Sequence, residues 1–281
     1  MRPPSGRRGL PRLPNLWIGA GLTLLLVLGA LAAPWIAPAD PFRVDLARIL
    51  GPVSGGHPLG TDYLGRDTLS RIVFGARISV RIGLVAALIS MVIGTLIGLV
   101  AAFSGGWLDS LLMRFTDVLM AFPSALLALA AMAVFDNPSV EVVFIVLGLI
   151  GWTTIARLVR SRVLSIKEEE YILAARVSGL GSFNILFRHV LPNAFSPILV
   201  ATTLAVASNI LTESFLSFIG LGAQPPLPSW GAMITEAQPY LTTRPWASIF
   251  PGLAIFISVM GFNLLGDGLR DLWDPKTSIR R

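Results

Sequence analysis

The chain has 281 residues, of which 54% are hydrophobic and 14% charged. Soluble domains carry roughly 45–50% apolar and about 25% charged residues, so this composition, with mean hydropathy +0.73, leaves too little polar surface for a water-soluble globule. It disfavours a soluble enzyme or a nucleic-acid-binding domain despite the net charge of +6, and the absence of cysteine removes disulfide frameworks and thiolate metal sites.

A hydrocarbon core about 30 Å thick needs ~20 apolar residues in a helix. Residues 16–37, 79–103, 108–135, 140–158, 195–221 and 246–269 meet that need. They predict an all-α polytopic membrane protein with six transmembrane helices. The divisions are a tail (1–15), a first span (16–37), an outer loop (38–78), a five-span core (79–269) and a second tail (270–281). Arg-rich residues 1–12, an apolar run and Ala30-Leu31-Ala32 also fit a signal peptide. The run is long for one, which favours a retained first helix.

The outer loop is rich in turn formers (Gly51-Pro52, Ser54-Gly55-Gly56, His57-Pro58). Its end regains helical spacing, with Leu69, Ile72, Val73 and Ala76 on one face, and predicts an interfacial amphipathic helix. Gly94 and Gly98 stand four apart in the second span, where small residues let helices approach closely. Asp117, near the start of the third span, has Arg114 as a ready partner, and Asp136 and Glu141 bracket a short solvated hairpin. Residues 222–245, with Pro225, Pro226, Pro228, Trp230 and Tyr240, read as a stiff interfacial cap.

With six spans, both termini share one side with the segment between spans four and five. That side carries fifteen basic residues against seven on the other, so both termini are expected in the cytoplasm. The dissent comes from the outer loop, where arginines are interleaved with Asp40, Asp45, Asp62 and Asp67.

Chemistry is sparse. Lys167 and Lys276 follow Ile and Pro, so neither belongs to a phosphate-binding Gly-Lys loop. His57 and His189 are expected on opposite sides of the membrane, which removes most His-based sites. No catalytic residue, metal site or cofactor site is expected. Ionisable groups inside spans are functional candidates, and Glu213 is foremost, with Asn209 one turn away. The pair reads either as the lining of a polar path or as a hydrogen-bonded fastening between helices.

The most informative stretch is the cytoplasmic loop 159–194. Glu168, Glu169 and Glu170 suit the positive end of a short helix, and Gly179 or Gly181 suits its C-cap. Tyr171, Ala174, Ala175 and Ser178 fall along one side as a small smooth knob. Ser182 is placed to cap a second short helix carrying Phe183, Leu186, Phe187 and Val190, stopped by Pro192. Such a helix pair suits docking into another protein; the plain alternative is a loop lying on the bilayer.

Here the sequence resembles the inner-membrane permeases of ATP-binding-cassette importers. Their signature is Glu-Ala-Ala, three residues, Gly, nine residues, Ile, one residue, Leu-Pro. Ala174-Ala175, Gly179 and Leu191-Pro192 match it, whereas Leu173 stands for the Glu and His189 for the Ile. Further blocks narrow the likeness to the "C"-type permease of dipeptide, oligopeptide and nickel importers. They include His57-Pro58-Leu59-Gly60-Thr61-Asp62, Leu64-Gly65-Arg66-Asp67, Ala121-Phe122-Pro123, Pro228-Ser229-Trp230-Gly231 and Asn263-Leu264-Leu265-Gly266-Asp267-Gly268.

The resemblance implies a type I importer permease core whose coupling helix presses on an ATPase. The coupling residues it implies are Glu170, Tyr171, Leu173, Ala174, Ala175, Ser178, Gly179, Arg188 and Pro192. It implies pairing with a homologous B-type permease, two cytoplasmic ATPases holding ATP and Mg, and an extracytoplasmic solute-binding protein, all at the bacterial inner membrane. Peptides lead as substrates; nickel or another small solute is the alternative. Rival classes are an ion-coupled secondary transporter, which needs midplane carboxylates and usually inverted repeats, and a membrane assembly factor.

Overall fold

The computed structural model describes residues 13–136 and 138–273; of the basic residues of the two tails, only Arg270 falls within that range. The chain starts with α1 (Pro14–Leu31), a single turn α2 (Ala33–Ile36) and an irregular segment to residue 67. The long α3 (Thr68–Ser104) follows, then α4 (Gly106–Met120), α5 (Ser124–Met132) and α6 (Val140–Lys167). Next come the short α7 (Glu170–Val177) and α8 (Ser182–Ile185), then α9 (Leu191–Phe218), α10 (Trp230–Ala237) and α11 (Trp246–Trp273). Among the described residues five helices are long and apolar enough to cross a membrane, six if the bent pair α4–α5 is one span.

The structure departs from two of these expectations. The third span is not straight: α4 and α5 meet at 82°, and the break falls at Ala121-Phe122-Pro123. Proline disfavours helical backbone in the residue before it and lacks the N–H the next turn requires. The amphipathic stretch after Asp67 is not a separate interfacial helix but the opening turns of α3. Asp67 caps it by accepting from Ser70 N at 2.7 Å, and Trp230 Nε1 donates to Ile72 O at 3.0 Å, so α10 covers this face.

In lipid, close packing rather than water exclusion holds helices together. The α3–α6 pair shows how: a Cβ on Gly94 would stand 2.6 Å from Trp152 O, and one on Gly98 equally close to Ala156 O. Only glycine permits that approach. Three apolar cores follow. One joins α1, α3, α9, α10 and α11 through Ala30, Val80, Val206, Ile210, Trp230 and Phe262. A second joins α3, α5, α6 and α9 through Ile82, Met132, Val143 and Leu216. The third, at the end carrying α7, contains Leu99, Val159, Val163, Ile172, Ile185 and Ile198. The outward face of α1, with Leu24, Leu25, Leu28 and Leu31 exposed, is left uncovered by the described residues.

At the opposite end, the segment before α3 is fastened to α10 by buried charges. Arg66 Nε donates to Asp62 at 2.7 Å and its Nη2 to Glu236 at 3.0 Å. Arg71 donates to Glu236 at 2.6 Å and also to Asp62. Burial alone would lower the Arg66 pKa, but Asp62 and Glu236 outweigh it and hold it above the ordinary guanidinium value. Beside this cluster His57 pairs with Asp67 at 2.9 Å.

Candidate functional site

The short helix α7 is built as the acidic run and glycine suggest. Glu170 lies in its first turn and Arg176 in its last, each complementing the helix dipole. Its end is a Schellman motif: Leu180 N donates to Ala175 O at 3.1 Å and Gly179 N to Arg176 O at 3.0 Å. Gly179 takes φ +82°, backbone that a side chain resists, and so turns the chain sharply. Gly181 instead precedes the next helix, in extended conformation.

The segment after it corrects two expectations. Ser182 is the first residue of α8 and makes no side-chain cap bond. Pro192 does not stop a helix; it sits in the first turn of α9. Between α8 and α9 lies a π turn, Leu186–Val190, in which Leu191 N donates to Leu186 O. Pro192 has no N–H, and in an unbroken α-helix its ring would meet the Arg188 carbonyl. The wider turn relieves this, so residues 182–218 form one continuous helical rod. Asn193 Nδ2 occupies the His189 carbonyl at 2.7 Å.

Three buried residues root this projection. Ile172 from α7, Ile185 from α8 and Val190 from the π turn enter the core formed with Val159, Val163 and Ile198. Most of the residues around them face outward. Glu170, Tyr171, Leu173, Ala174, Ser178, Gly179, Arg188 and Pro192 are all exposed, and Ala175 is half-buried. The expected single smooth side therefore splits in two. Ala175 packs inward, and Tyr171 leans on the rod, its hydroxyl 3.3 Å from Asn193 Nδ2 and its ring 6.4 Å from that of His189. The free face instead presents Leu173, Ala174 and Val177, the last 90% exposed. Phe183 and Phe187, both exposed, lie beside it with centroids 4.5 Å apart and rings tilted at 42°.

Sequence reasoning missed Val177, Phe183 and Phe187 as a free apolar surface. The signal available was large apolar residues in a segment too short to bury them all. Leu173, at the signature's Glu position, belongs to that surface. His189, at its Ile position, is accommodated against Tyr171.

Ion pairs tie the neighbouring helices. Arg160 grips Asp109 with two bonds of 2.6 Å. Asp117 pairs with Arg157 of α6 at 2.6 Å rather than with Arg114; an Arg three residues before an Asp on one helix opposes the dipole. Lys167 Nζ donates to Ala102 O at 2.7 Å, closing the end of α3. At the far hairpin, Asp136 is exposed and Glu141 lies 3.6 Å from Arg81.

Glu213 and Asn209 do not line a path on this chain's surface. Glu213 is 0% exposed, accepting from Ser79 Oγ at 3.1 Å and Ser217 Oγ at 2.7 Å. Ser229 Oγ donates onward to Ser217 Oγ at 3.1 Å. Asn209 Nδ2 points to Gly83 O at 3.4 Å. The carboxylate fastens α9 to α3 and to the cap of α10. Among the described residues no cluster of His, Cys, Asp and Glu could hold a metal ion.

A bundle of five or six candidate spans with a compact projection rooted between them fits a membrane permease subunit of the type I importer fold. The chain belongs to the family of binding-protein-dependent transport system inner membrane components, whose model matches residues 94–279. It is 45% identical over 261 residues to the glutathione transport system permease protein GsiD of Pectobacterium atrosepticum, covering 92% of this chain and 86% of that one. It is 40% identical over 259 residues to the dipeptide transport system permease protein DppC of Alkalihalophilus pseudofirmus, covering 92% and 85%. The oligopeptide transport system permease protein OppC of Bacillus subtilis is 42% identical, with the same coverage. A crystal structure of an amino acid ABC transporter with histidines shares the fold, with TM-score 0.56 at 15% identity over 71% of this chain and 92% of that one.

Proposed function

We propose that this chain is the C-type permease subunit of an ATP-driven importer, translocating short peptides delivered by a solute-binding protein. It pairs with a homologous B-type permease and two cytoplasmic ATPases. ATP and Mg are held by those ATPases and no cofactor by this chain. The α7 end faces the cytoplasm and the α10 end the opposite side. The relatives named for dipeptide, oligopeptide and glutathione transport support the substrate class.

The observation that carries the coupling role is the projection itself. Large apolar residues stand exposed on a short capped helix whose opposite face is locked among α3, α6 and α9. A pad of this kind presents apolar surface beyond the spans, where it suits a protein partner. Its roots let a push on α7 reach the spans, and ATP can bias the permease only through contacts that differ between two states. Glu170, Ser178 and Arg188 are exposed around the pad to form its polar rim, while Gly179 and Pro192 set its shape.

The test is Val177→Glu in the assembled transporter in liposomes. The side chain is almost wholly exposed, so insertion and folding persist. Peptide uptake and binding-protein-stimulated ATP hydrolysis are lost. Wild-type uptake by this variant would show that the pad is not the coupling surface.

A further inference from the structure

At the α10 end, a cleft of about 810 Å3 opens between α1, α3, the start of α6 and the Pro225–Pro228 segment. That volume lies within the ~300–1,000 Å3 range of small-molecule sites. Val27 and Leu31 of α1 and Phe74 and Ile78 of α3 form its apolar wall. Phe42 closes one side against Phe74 at a ring distance of 6.4 Å. Its charged residues are Arg77, Arg81 and Glu141, a surplus of one positive charge.

The arginines stand one helical turn apart on α3, each held near an aromatic ring. Arg77 lies 5.8 Å from the Phe74 centroid and Arg81 5.9 Å from that of Phe144. Arg81 meets Glu141 only at 3.6 Å, with both side chains more than half exposed, a loose pair that contributes little. Arg77 makes no ion pair among the described residues. The cleft adjoins α1, only 11% of whose apolar stretch is buried. Exposed Trp35, just beyond α1, is the residue type that marks a membrane–water boundary.

We propose that this cleft holds an anionic phospholipid. Its phosphate rests on Arg77 and Arg81, and its acyl chains run down the Val27, Leu31 and Ile78 wall towards the lipid-facing side of α1. Arginine suits the headgroup because its planar fork matches phosphate oxygens, and its stem packs on apolar surface while its charge stays at the interface. The surplus charge selects an anionic over a zwitterionic lipid. The bound lipid would fill the space between α1 and the start of α6, which no described residue fills. The proposal concerns a face separate from the coupling pad and does not depend on the transported substrate.

Native mass spectrometry of the full transporter released from nanodiscs containing phosphatidylglycerol and phosphatidylethanolamine tests this. The wild type should retain phosphatidylglycerol, and Arg77→Gln with Arg81→Gln should lower retention at least about tenfold, as expected for loss of charge-assisted hydrogen bonds. Ile78→Trp fills the cleft without touching the arginines and should displace the lipid too. A photoreactive diazirine residue replacing Val27, with both arginines intact, should cross-link to phosphatidylglycerol. Equal retention by both variants, or cross-linking of Val27 to a polypeptide instead of lipid, would overturn the proposal.

Discussion

Arg71, at the start of α3, and Glu236, on α10, lie 165 residues apart and meet at 2.6 Å with the arginine side chain 1% exposed. Taking such charges out of water is unfavourable, so their geometry must compensate. Asp62 and Arg66 complete a four-membered cluster that closes the α10 end.

Removing one member should hurt more than removing a pair. Glu236→Ala leaves Arg71 with Asp62 alone, and we expect a loss of about 3 kcal/mol, typical of breaking a buried ion pair. The joint change Arg71→Met with Glu236→Leu leaves no stranded charge at that contact and should cost less. Thermal unfolding of the two variants in detergent gives the order. A milder effect for Glu236→Ala would contradict it.

Glu213 separates fastening from transport chemistry. Glu213→Gln keeps an acceptor for the serines, so folded yield and uptake should stay near wild type. Glu213→Leu strands the hydroxyls of Ser79 and Ser217, at about 1–3 kcal/mol for each unsatisfied group, and should lower the folded yield. Loss of uptake in the Gln variant at unchanged yield and melting temperature would restore a path role for the carboxylate.

Gly179 is open to space, with nothing within 4 Å of an added Cβ. Substitution there is penalised by the backbone alone, by about 1–2 kcal/mol for an ordinary L-residue in left-handed conformation. Coupled ATP hydrolysis should fall in the order Gly, Asn, Ala, Val, because Asn tolerates this region better and β-branched residues tolerate it least. Equal activity across the series would mean that the turn after α7 does not position the pad.

The α3–α6 contact responds to size in the opposite manner. Gly94→Ala or Gly98→Ala drives a methyl into backbone, and overpacking of this kind costs about 1–3 kcal/mol. Gly252, in α11, has nothing within 4 Å, so Gly252→Ala should be neutral or slightly stabilising. Melting temperatures of the purified variants make the comparison.

Much of this was legible in the sequence because the bilayer imposes a simple length rule. Spans, Gly94 and Gly98, and the acidic start and glycine end of α7 are local patterns, read within one or two helical turns. What escaped depends on distance. Nothing near Arg71 announces Glu236, and nothing near Glu213 announces Ser79, on another helix. Pro192 locally signals a helix end, whereas the wider turn upstream lets the rod continue. The outer-loop arginines that opposed the expected orientation are weakened as witnesses, since Arg66 and Arg71 are neutralised by Asp62 and Glu236.

The π turn at Leu186–Val190 also fixes an azimuth. An α-helix advances about 100° per residue, so the one residue accommodated there sets which way the pad faces relative to every side chain on α9. Deleting one residue from this stretch would leave α7 intact and α9 in place, yet swing the pad roughly a quarter turn around the rod. Surface chemistry would then be unchanged and aim lost, so composition alone does not determine what this projection can meet.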